Sequence, residues 1–309
     1  MKIAITGGAG FIGSHIADEY LRHGHEVVVL DNFSTGRKEN LNSDVRIYET
    51  DINSEDIPSI FEKEKFDILS HHAAQIDVRT SVEDPLFDAR VNVLGSLNLY
   101  EAARKAGVKK VIFASTGGTI YGEQEYFPAD EKHPLNPICP YAVAKLVNEK
   151  YLYYYKAVYG MDYVSLRYGN VYGPRQNFRG EAGVVAIFIN RMLDKQRAVI
   201  NGDGKTTRDY IYISDVVNAN SAALGDSASG EYNVGTAKEH DVNYIFSTIK
   251  ALLGSDMDEE HGPSKAGEQR RSVISYEKIS HDLGWSPEVD FFDGLKITCD
   301  YFTNVRKHT

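Results

Sequence analysis

The sequence predicts a doubly wound parallel α/β sheet that carries a smaller α/β cap. Three observations lead there. An apolar run at residues 2–6 breaks into a glycine-rich turn at 7–13, short apolar runs then alternate with amphipathic stretches to about residue 170, and after Pro174 this alternation gives way to loops and isolated helices.

Residues 2–6 read as a buried strand, 7–13 as a turn, 14–23 as a helix and 27–31 as a second strand ending in Asp31. Glycine at 7, 8, 10 and 13 lets backbone approach a pyrophosphate at a helix N-terminus, where unpaired N–H groups favour negative charge. The strand before the turn, the helix after it and the acidic end of the next strand make this a dinucleotide fingerprint. Asp31 suits both adenosine ribose hydroxyls and repels a 2′-phosphate, so the expected cofactor is NAD.

Residues 45–50, 66–70, 110–115 and 163–167 read as further buried parallel strands, separated by helical stretches at 54–64, 86–107 and 141–159. Ligands of such a sheet sit beyond the strand C-termini. A helix at 184–195, a glycine turn at 201–204, a polar and basic stretch at 262–271, and helices at 276–283 and 291–306 make up the cap, with the tail 306–309 frayed. The division is 1–171, with late sheet segments at about 207–235, for the dinucleotide, and 172–206 with 236–309 for the substrate.

Lys+Arg 34 against Asp+Glu 44 gives a net charge of −10, which disfavours a nucleic-acid partner. No apolar run approaches the ~20 residues of a membrane span, and the glycines at the start break up any signal peptide, so a cytoplasmic location is expected. Two cysteines in 309 residues suggest neither a disulfide scaffold nor a metal knuckle. His71 and His72 point to opposite sheet faces, so no metal is expected there either. The tyrosines at 151, 153, 154, 155 and 159 fit a core or subunit-packing face.

Tyr141 and Lys145 lie four residues apart on a predicted helix and therefore share a face. A phenol is a poor base at neutral pH, so the pair reads as an acid–base group whose pKa is lowered by ~3 units by the ammonium and a cationic nicotinamide.

With GGAGFIGS at 7–14, DNFSTG at 31–36, HHAAQ at 71–75, VNVLGS at 91–96, STGGTIYG at 115–122, YAVAK at 141–145, RYGNVYGPRQ at 167–176 and GDGKTTRDY at 202–210, the chain resembles the extended short-chain dehydrogenase/reductases. Within them it is most similar to the UDP-glucose 4-epimerases and related nucleotide-sugar 4-epimerases. The resemblance implies interconversion of UDP-glucose and UDP-galactose through a 4-keto sugar, a role in galactose metabolism, and a homodimer that pairs the 141–159 helix with the one at 86–107. Neighbouring chemistries are UDP-glucuronate 4-epimerisation or decarboxylation; a reading of another class is a silent NAD-binding scaffold.

Residue by residue, the resemblance places Gly7, Gly10, Phe11, Ile12 and Gly13 at the pyrophosphate and Asp31 and Asn32 at the adenosine ribose, with Ser34, Thr35 and Gly36 also in the cofactor set. Asp51 and Ile52 would flank the adenine, Ala73, Ala74 and Gln75 would line the phosphate and nicotinamide side, and Asn92, Ser115, Lys145 and Tyr168 would complete the cofactor set. Tyr141 is the implied acid–base, while Asn170, Arg208, Lys265, Glu268 and Ser272 would bind the UDP-sugar. The usual Ser or Thr at the sugar 4-oxygen falls at Gly117, which leaves Thr116, or else Thr119, as the expected hydroxyl. Relatives restricted to glucose and galactose are bulky where this chain has Ser272, so N-acetylhexosamine forms are expected to enter.

Overall fold

The computed structural model describes residues 1–178, 183–264 and 269–307. Strands β1 (Lys2–Thr6), β2 (Glu26–Asp31), β3 (Arg46–Glu49), β4 (Ile68–His71), β5 (Lys110–Thr116), β6 (Asp162–Tyr168) and a last strand Gly230–Val234 form one sheet. Its order is Gly230–Val234, β6, β5, β4, β1, β2, β3, and every neighbouring pair is parallel. The chain starts at β1 and winds outward both ways, so the switch point lies between β1 and β4. There the connections leave on opposite faces and a crevice opens at the strand ends.

The central strands are covered on both faces because apolar side chains point to each side of the sheet. Ile3 and Ile5 of β1 pack with Val27 and Val29 against Ile16 and Tyr20 of α1 (Phe11–Arg22) and against the helix Ile213–Ala222. Ala4, Val28 and Leu30 face the other way, with Phe61 of α2 (Ile57–Glu64), Leu99 and Tyr100 of α5 (Ser96–Ala106), and Leu152 and Tyr155 of α6 (Pro140–Tyr159). This is the period-two alternation of a strand buried on both sides, and each fully buried large side chain contributes about 1.5–3 kcal/mol.

Several expectations are corrected. The strand expected at 45–50 is not buried: Arg46, Ile47 and Glu49 of β3 are exposed, because β3 is the edge of the sheet and pairs with β2 alone. The helix expected at 86–107 is broken into α4 (Pro85–Ala89), a π-helical turn Arg90–Gly95, and α5, and a short helix α3 (Val78–Glu83) that was not expected precedes them. Asp84 caps α4 through a bond from the Phe87 N–H (2.9 Å), and Pro85 occupies its first turn, so a new helix starts there.

Of the late segments at 207–235, only Gly230–Val234 joins the main sheet. Thr207–Arg208 pairs with Arg271–Ser272 and His240–Asp241, while Tyr210–Tyr212 pairs with Asn170–Tyr172. The tail is not frayed at Arg306, whose guanidinium holds Asn190 (2.8 Å) and Asp194 (2.7 Å); residues 308–309 lie outside the described residues. Among the described residues no helix is long and apolar enough to cross a membrane.

Candidate active site

The glycine turn is a backbone construction. Gly7 has φ +67°, and a Cβ there would lie 2.6 Å from the Ala73 amide nitrogen; a Cβ on Gly13 would lie 2.3 Å from the Gly7 carbonyl oxygen. Turn, helix and the chain leaving β4 are thus in mutual contact, which only glycine permits. Helix α1 begins at Phe11, earlier than expected, and Gly10 caps it with no side chain, so the amides of its first turn face outward. An anion fits there by geometry and dipole.

Asp31 is buried, its oxygens accepting the N–H groups of Ala9 (2.9 Å) and Phe33 (2.8 Å). Each oxygen keeps a lone pair toward the cleft for a ribose hydroxyl. Asn32 donates to Asp51 (2.7 Å), and its own carbonyl accepts the Ser34 N–H (3.0 Å). Ser34 and Thr35 are exposed at the rim, Gly36 lies against Ala9 and Asp31, and Ile52 is buried against Gly95. The residues expected at the adenosine end therefore form one wall, and they fit NAD.

The middle of the cleft lies where β5 ends beside α6. Lys145 is buried, donates to the Ala114 carbonyl (2.7 Å), and lies 5.7 Å from the centre of the Tyr141 ring. Burial pulls its ammonium down to about 8, against the pull of Asp88 and Glu149. The expected lowering of the tyrosine is not supplied by the chain. Burial pushes the Tyr141 phenol well above its ordinary value, and the nearby Cys139 and Asp88 add to that. A phenol in that state holds its proton until another cation reaches it.

Thr116 and Thr119 place their hydroxyls 3.1 Å apart. Gly117 has no room for a side chain: a Cβ would lie 2.5 Å from Ile274 and 3.0 Å from the Arg167 carbonyl. A side chain at the expected Ser/Thr position would therefore displace Ile274 and press on the Arg167 carbonyl.

Three residues expected at the cofactor turn their side chains elsewhere. The Tyr168 hydroxyl bonds Asn220 in the core, the Ser115 hydroxyl donates to Glu149 (2.7 Å), and the Asn92 amide is taken up by Gln75 and Asp88. The Tyr168 and Ser115 side chains are thus committed to the interior, and Asn92 holds Gln75. Ala74 lies half-buried between Ala73 and Gln75.

At the sugar end, a Cβ on Gly118 would lie 3.4 Å from the Asn170 side-chain oxygen and 3.9 Å from the Thr116 hydroxyl, and the Ser272 hydroxyl approaches the Gly118 carbonyl (3.4 Å). Ser272 stands opposite Arg208 in the paired strands Arg271–Ser272 and Thr207–Arg208. Sheet register thus brings Thr116, Asn170, Arg208 and Ser272 together. Lys265 and Glu268 lie outside the described residues.

Sequence reasoning missed the next residue, Asp209. It is buried, receives bonds from Thr236, Ala237 and Ile274, and its burial nevertheless pushes the carboxyl up to about 6. Its carbonyl accepts the Asn170 N–H (2.7 Å) and its N–H donates to the Ser272 carbonyl (2.9 Å), so it braces both sugar-end residues. Its place beside Arg208 was the available signal.

The sequence pattern of the NAD dependent epimerase/dehydratase family matches residues 3–235. A UDP-glucose 4-epimerase of Thermotoga maritima, solved with UDP-glucose, is 45% identical with a TM-score of 0.97, covering 99% of this chain and 100% of that one. The Thermus thermophilus UDP-glucose 4-epimerase, solved with NAD, is 45% identical with a TM-score of 0.94, covering 98% and 99%. A UDP-N-acetylglucosamine 4-epimerase of Methanobrevibacter ruminantium, in complex with UDP-N-acetylmuramic acid, is 34% identical with a TM-score of 0.93, covering 98% of each chain.

Proposed function

The chain belongs to the NAD dependent epimerase/dehydratase family, and we propose that it interconverts UDP-glucose and UDP-galactose through a 4-keto sugar, in the cytoplasm and within galactose metabolism. The observation that carries this reading is that Lys145, 5.7 Å from the Tyr141 ring, is tied to the Ala114 carbonyl near the end of β5, the strand that ends in Thr116, whose hydroxyl lies 3.1 Å from that of Thr119. When bound, NAD supplies a two-electron acceptor that is restored in each turnover and a cationic ring near the phenol. The chain's residues do the rest. Tyr141 takes the proton from the sugar 4-hydroxyl and later returns it, Thr116 with Thr119 orients that oxygen, and Lys145 holds the nicotinamide ribose and keeps positive charge close by.

We assign the dinucleotide to residues 1–171 with the late segments at about 207–235, and the UDP-sugar to 172–206 and 236–309. Gly7, Gly10, Phe11, Ile12 and Gly13 would carry the pyrophosphate. Asp31, Asn32, Ser34, Thr35, Gly36, Asp51 and Ile52 would carry the adenosine. A hexose that must present both faces is best anchored by its nucleotide, and Arg208 and Asn170 are suited to that part. Ser272 is small, which supports entry of N-acetylhexosamine forms.

The outer faces of α3, α4 and α6 expose Val82, Leu86, Val143, Tyr153, Val158 and Tyr159. Between α4 and α6 runs a cleft of about 510 Å³ lined by Pro85, Val93, Ile138 and Val147 among others. This apolar face supports a homodimer through a four-helix bundle.

Incubation with UDP-glucose, UDP-galactose, their N-acetylated forms and UDP-glucuronate, with separation of the products, tests the reading. Conversion of UDP-galactose and its N-acetyl form is expected, and turnover of UDP-glucuronate alone would replace the reading. The Tyr141→Phe variant is expected to lose at least about a hundredfold in kcat while binding NAD unchanged. Undiminished turnover would remove the tyrosine from its role.

A further inference from the structure

We propose that Asp88 is a positioning residue of the catalytic pair: its buried carboxylate ties the Gln75 segment to the helix bearing Tyr141 and Lys145, and its charge sets the pH range in which that pair works. The inference rests on the acid–base reading of Tyr141 given above.

Asp88 sits on the one-turn helix α4, where its neighbours at 82–87 and 89–90 are exposed and it alone is 1% exposed. One carboxylate oxygen accepts both the Gln75 side-chain amide (3.1 Å) and the Asn92 amide (2.8 Å). Gln75 and Asn92 are also joined to each other, Gln75 N–H to the Asn92 side-chain oxygen (2.9 Å) and the Asn92 amide to the Gln75 carbonyl (2.8 Å). From the π-helical turn the chain of bonds continues. The Asn92 carbonyl accepts from the Asn148 amide (2.7 Å), which also donates to the Ala144 carbonyl (2.8 Å), the residue before Lys145. A continuous path therefore runs from the Gln75 segment through Asn92 to the helix α6, and Asp88 clamps the Gln75 and Asn92 amides at its start.

An asparagine at 88 could accept the same two bonds, so they do not explain a carboxylate there. A charge in a dry site is costly unless another charge answers it. Lys145, on the helix α6 that packs against α4, is the charge we assign to it. The ammonium is pulled down by burial and held up first by Asp88 and then by Glu149, while His71 and His72 are lowered first by their own burial and then by repulsion from Lys145. Tyr141 is held up by burial, then by Cys139 and Asp88. Burial in turn raises the carboxyl of Asp88, against Gln75, Asn92 and Lys145. On the helices packed here, Arg79, Glu83, Asp84 and Arg90 are exposed, where water screens them.

The sign is the same for both partners. A negative charge at 88 favours the protonated phenol and the protonated amine, so its removal lowers the pKa of each. The limb of activity that needs Tyr141 deprotonated and the limb that needs Lys145 protonated should therefore move together to lower pH, which loosened packing would not produce.

The test uses the NAD-loaded enzyme and the Asp88→Asn variant, with UDP-galactose turnover followed across pH. The expected result is a bell-shaped kcat profile displaced as a whole to lower pH by about half a unit or more, with the KM for UDP-galactose within about twofold of wild type. Asp88→Glu, which keeps the charge and displaces the hydrogen bonds, should leave the profile in place while kcat falls. A second readout needs no turnover: ultraviolet titration of the Tyr141 phenolate, taken as the difference from the matching Tyr141→Phe protein, should show a lower midpoint in Asp88→Asn. Superimposable profiles and midpoints for Asp88→Asn and wild type would overturn the proposal, as would equal displacement by Asp88→Glu. A wild-type protein that turns over no UDP-hexose would sink the proposed function instead, and the phenolate titration would still decide the role of Asp88.

Discussion

The glycine turn and the sugar end of the cleft are built by opposite means. Between Gly7 and Gly36 the working parts are backbone amides, glycines that leave no room for a Cβ, and one aspartate that two amides hold in place. All of it lies within one βαβ unit. The sugar end draws Thr116 from the end of β5, Tyr141 and Lys145 from α6, Asn170 from after β6, and Arg208 and Ser272 from a small sheet in the last third of the chain. A site made of backbone is fixed by local steric rules and tolerates no added atom. A site made of side chains is fixed by register between distant strands, so single residues can change and alter specificity or rate while the rest persists.

The largest expected effect falls on the backbone site. Gly13→Ala places a methyl 2.3 Å from the Gly7 carbonyl oxygen, which the turn can accommodate only by moving. NAD affinity measured by calorimetry should fall more than about tenfold, with thermal unfolding lowered by roughly 1–3 kcal/mol. Retained affinity would break the comparison by showing that the turn adapts.

An intermediate effect is expected at the sugar end, where two hydroxyls share one task. Thr116→Val should lower kcat by about ten- to a hundredfold while NAD affinity stays put, and Thr119→Val should cost less. If Thr119→Val is the more damaging, the roles within the pair are reversed.

The smallest effect concerns a buried charge that serves neither region. Burial pushes the Glu64 carboxyl up, but bonds from Lys2 (2.6 Å), Tyr48 (2.5 Å) and Arg46 (2.8 Å) outweigh it and bring it down to about 2. A carboxylate whose pKa is depressed on folding contributes stability above its unfolded value of 4.5, and that stability is lost as pH falls toward about 2. Glu64→Gln should therefore unfold about 1–2 kcal/mol more easily at pH 7, with the difference from wild type closing below pH 4.5 and kcat unchanged throughout. A difference independent of pH would assign the loss to packing and not to charge.

The two regions were also unequally legible in the sequence. The turn at 7–13, β1, β2 and the Tyr141–Lys145 face of α6 could be placed from spacing, because glycine freedom and helix periodicity act over a few residues. The break at 84–85 carries a local signal, the Asp84 cap and Pro85, that the expected single helix passed over, while the role of Gly95 shows only where it meets Ile52. Edge position made β3 exposed, and edge position is a property of the whole sheet. Asp88 and Asp209 read as ordinary polar residues on the page, and nothing local says that they are buried.

By itself the sequence determined the strands β1, β2, β4, β5 and β6, the glycine turn with its acidic partner, and the phenol–ammonium pair, because each follows from sterics or periodicity within one element. Tertiary structure alone decided that the Thr116 and Thr119 hydroxyls meet, that Ile274 and the Arg167 carbonyl crowd residue 117, where Ser272 meets Gly118, and that the protein's own burial raises the tyrosine. Those facts depend on distances between segments far apart in the chain and on the exclusion of water, and neither exists until the sheet has closed.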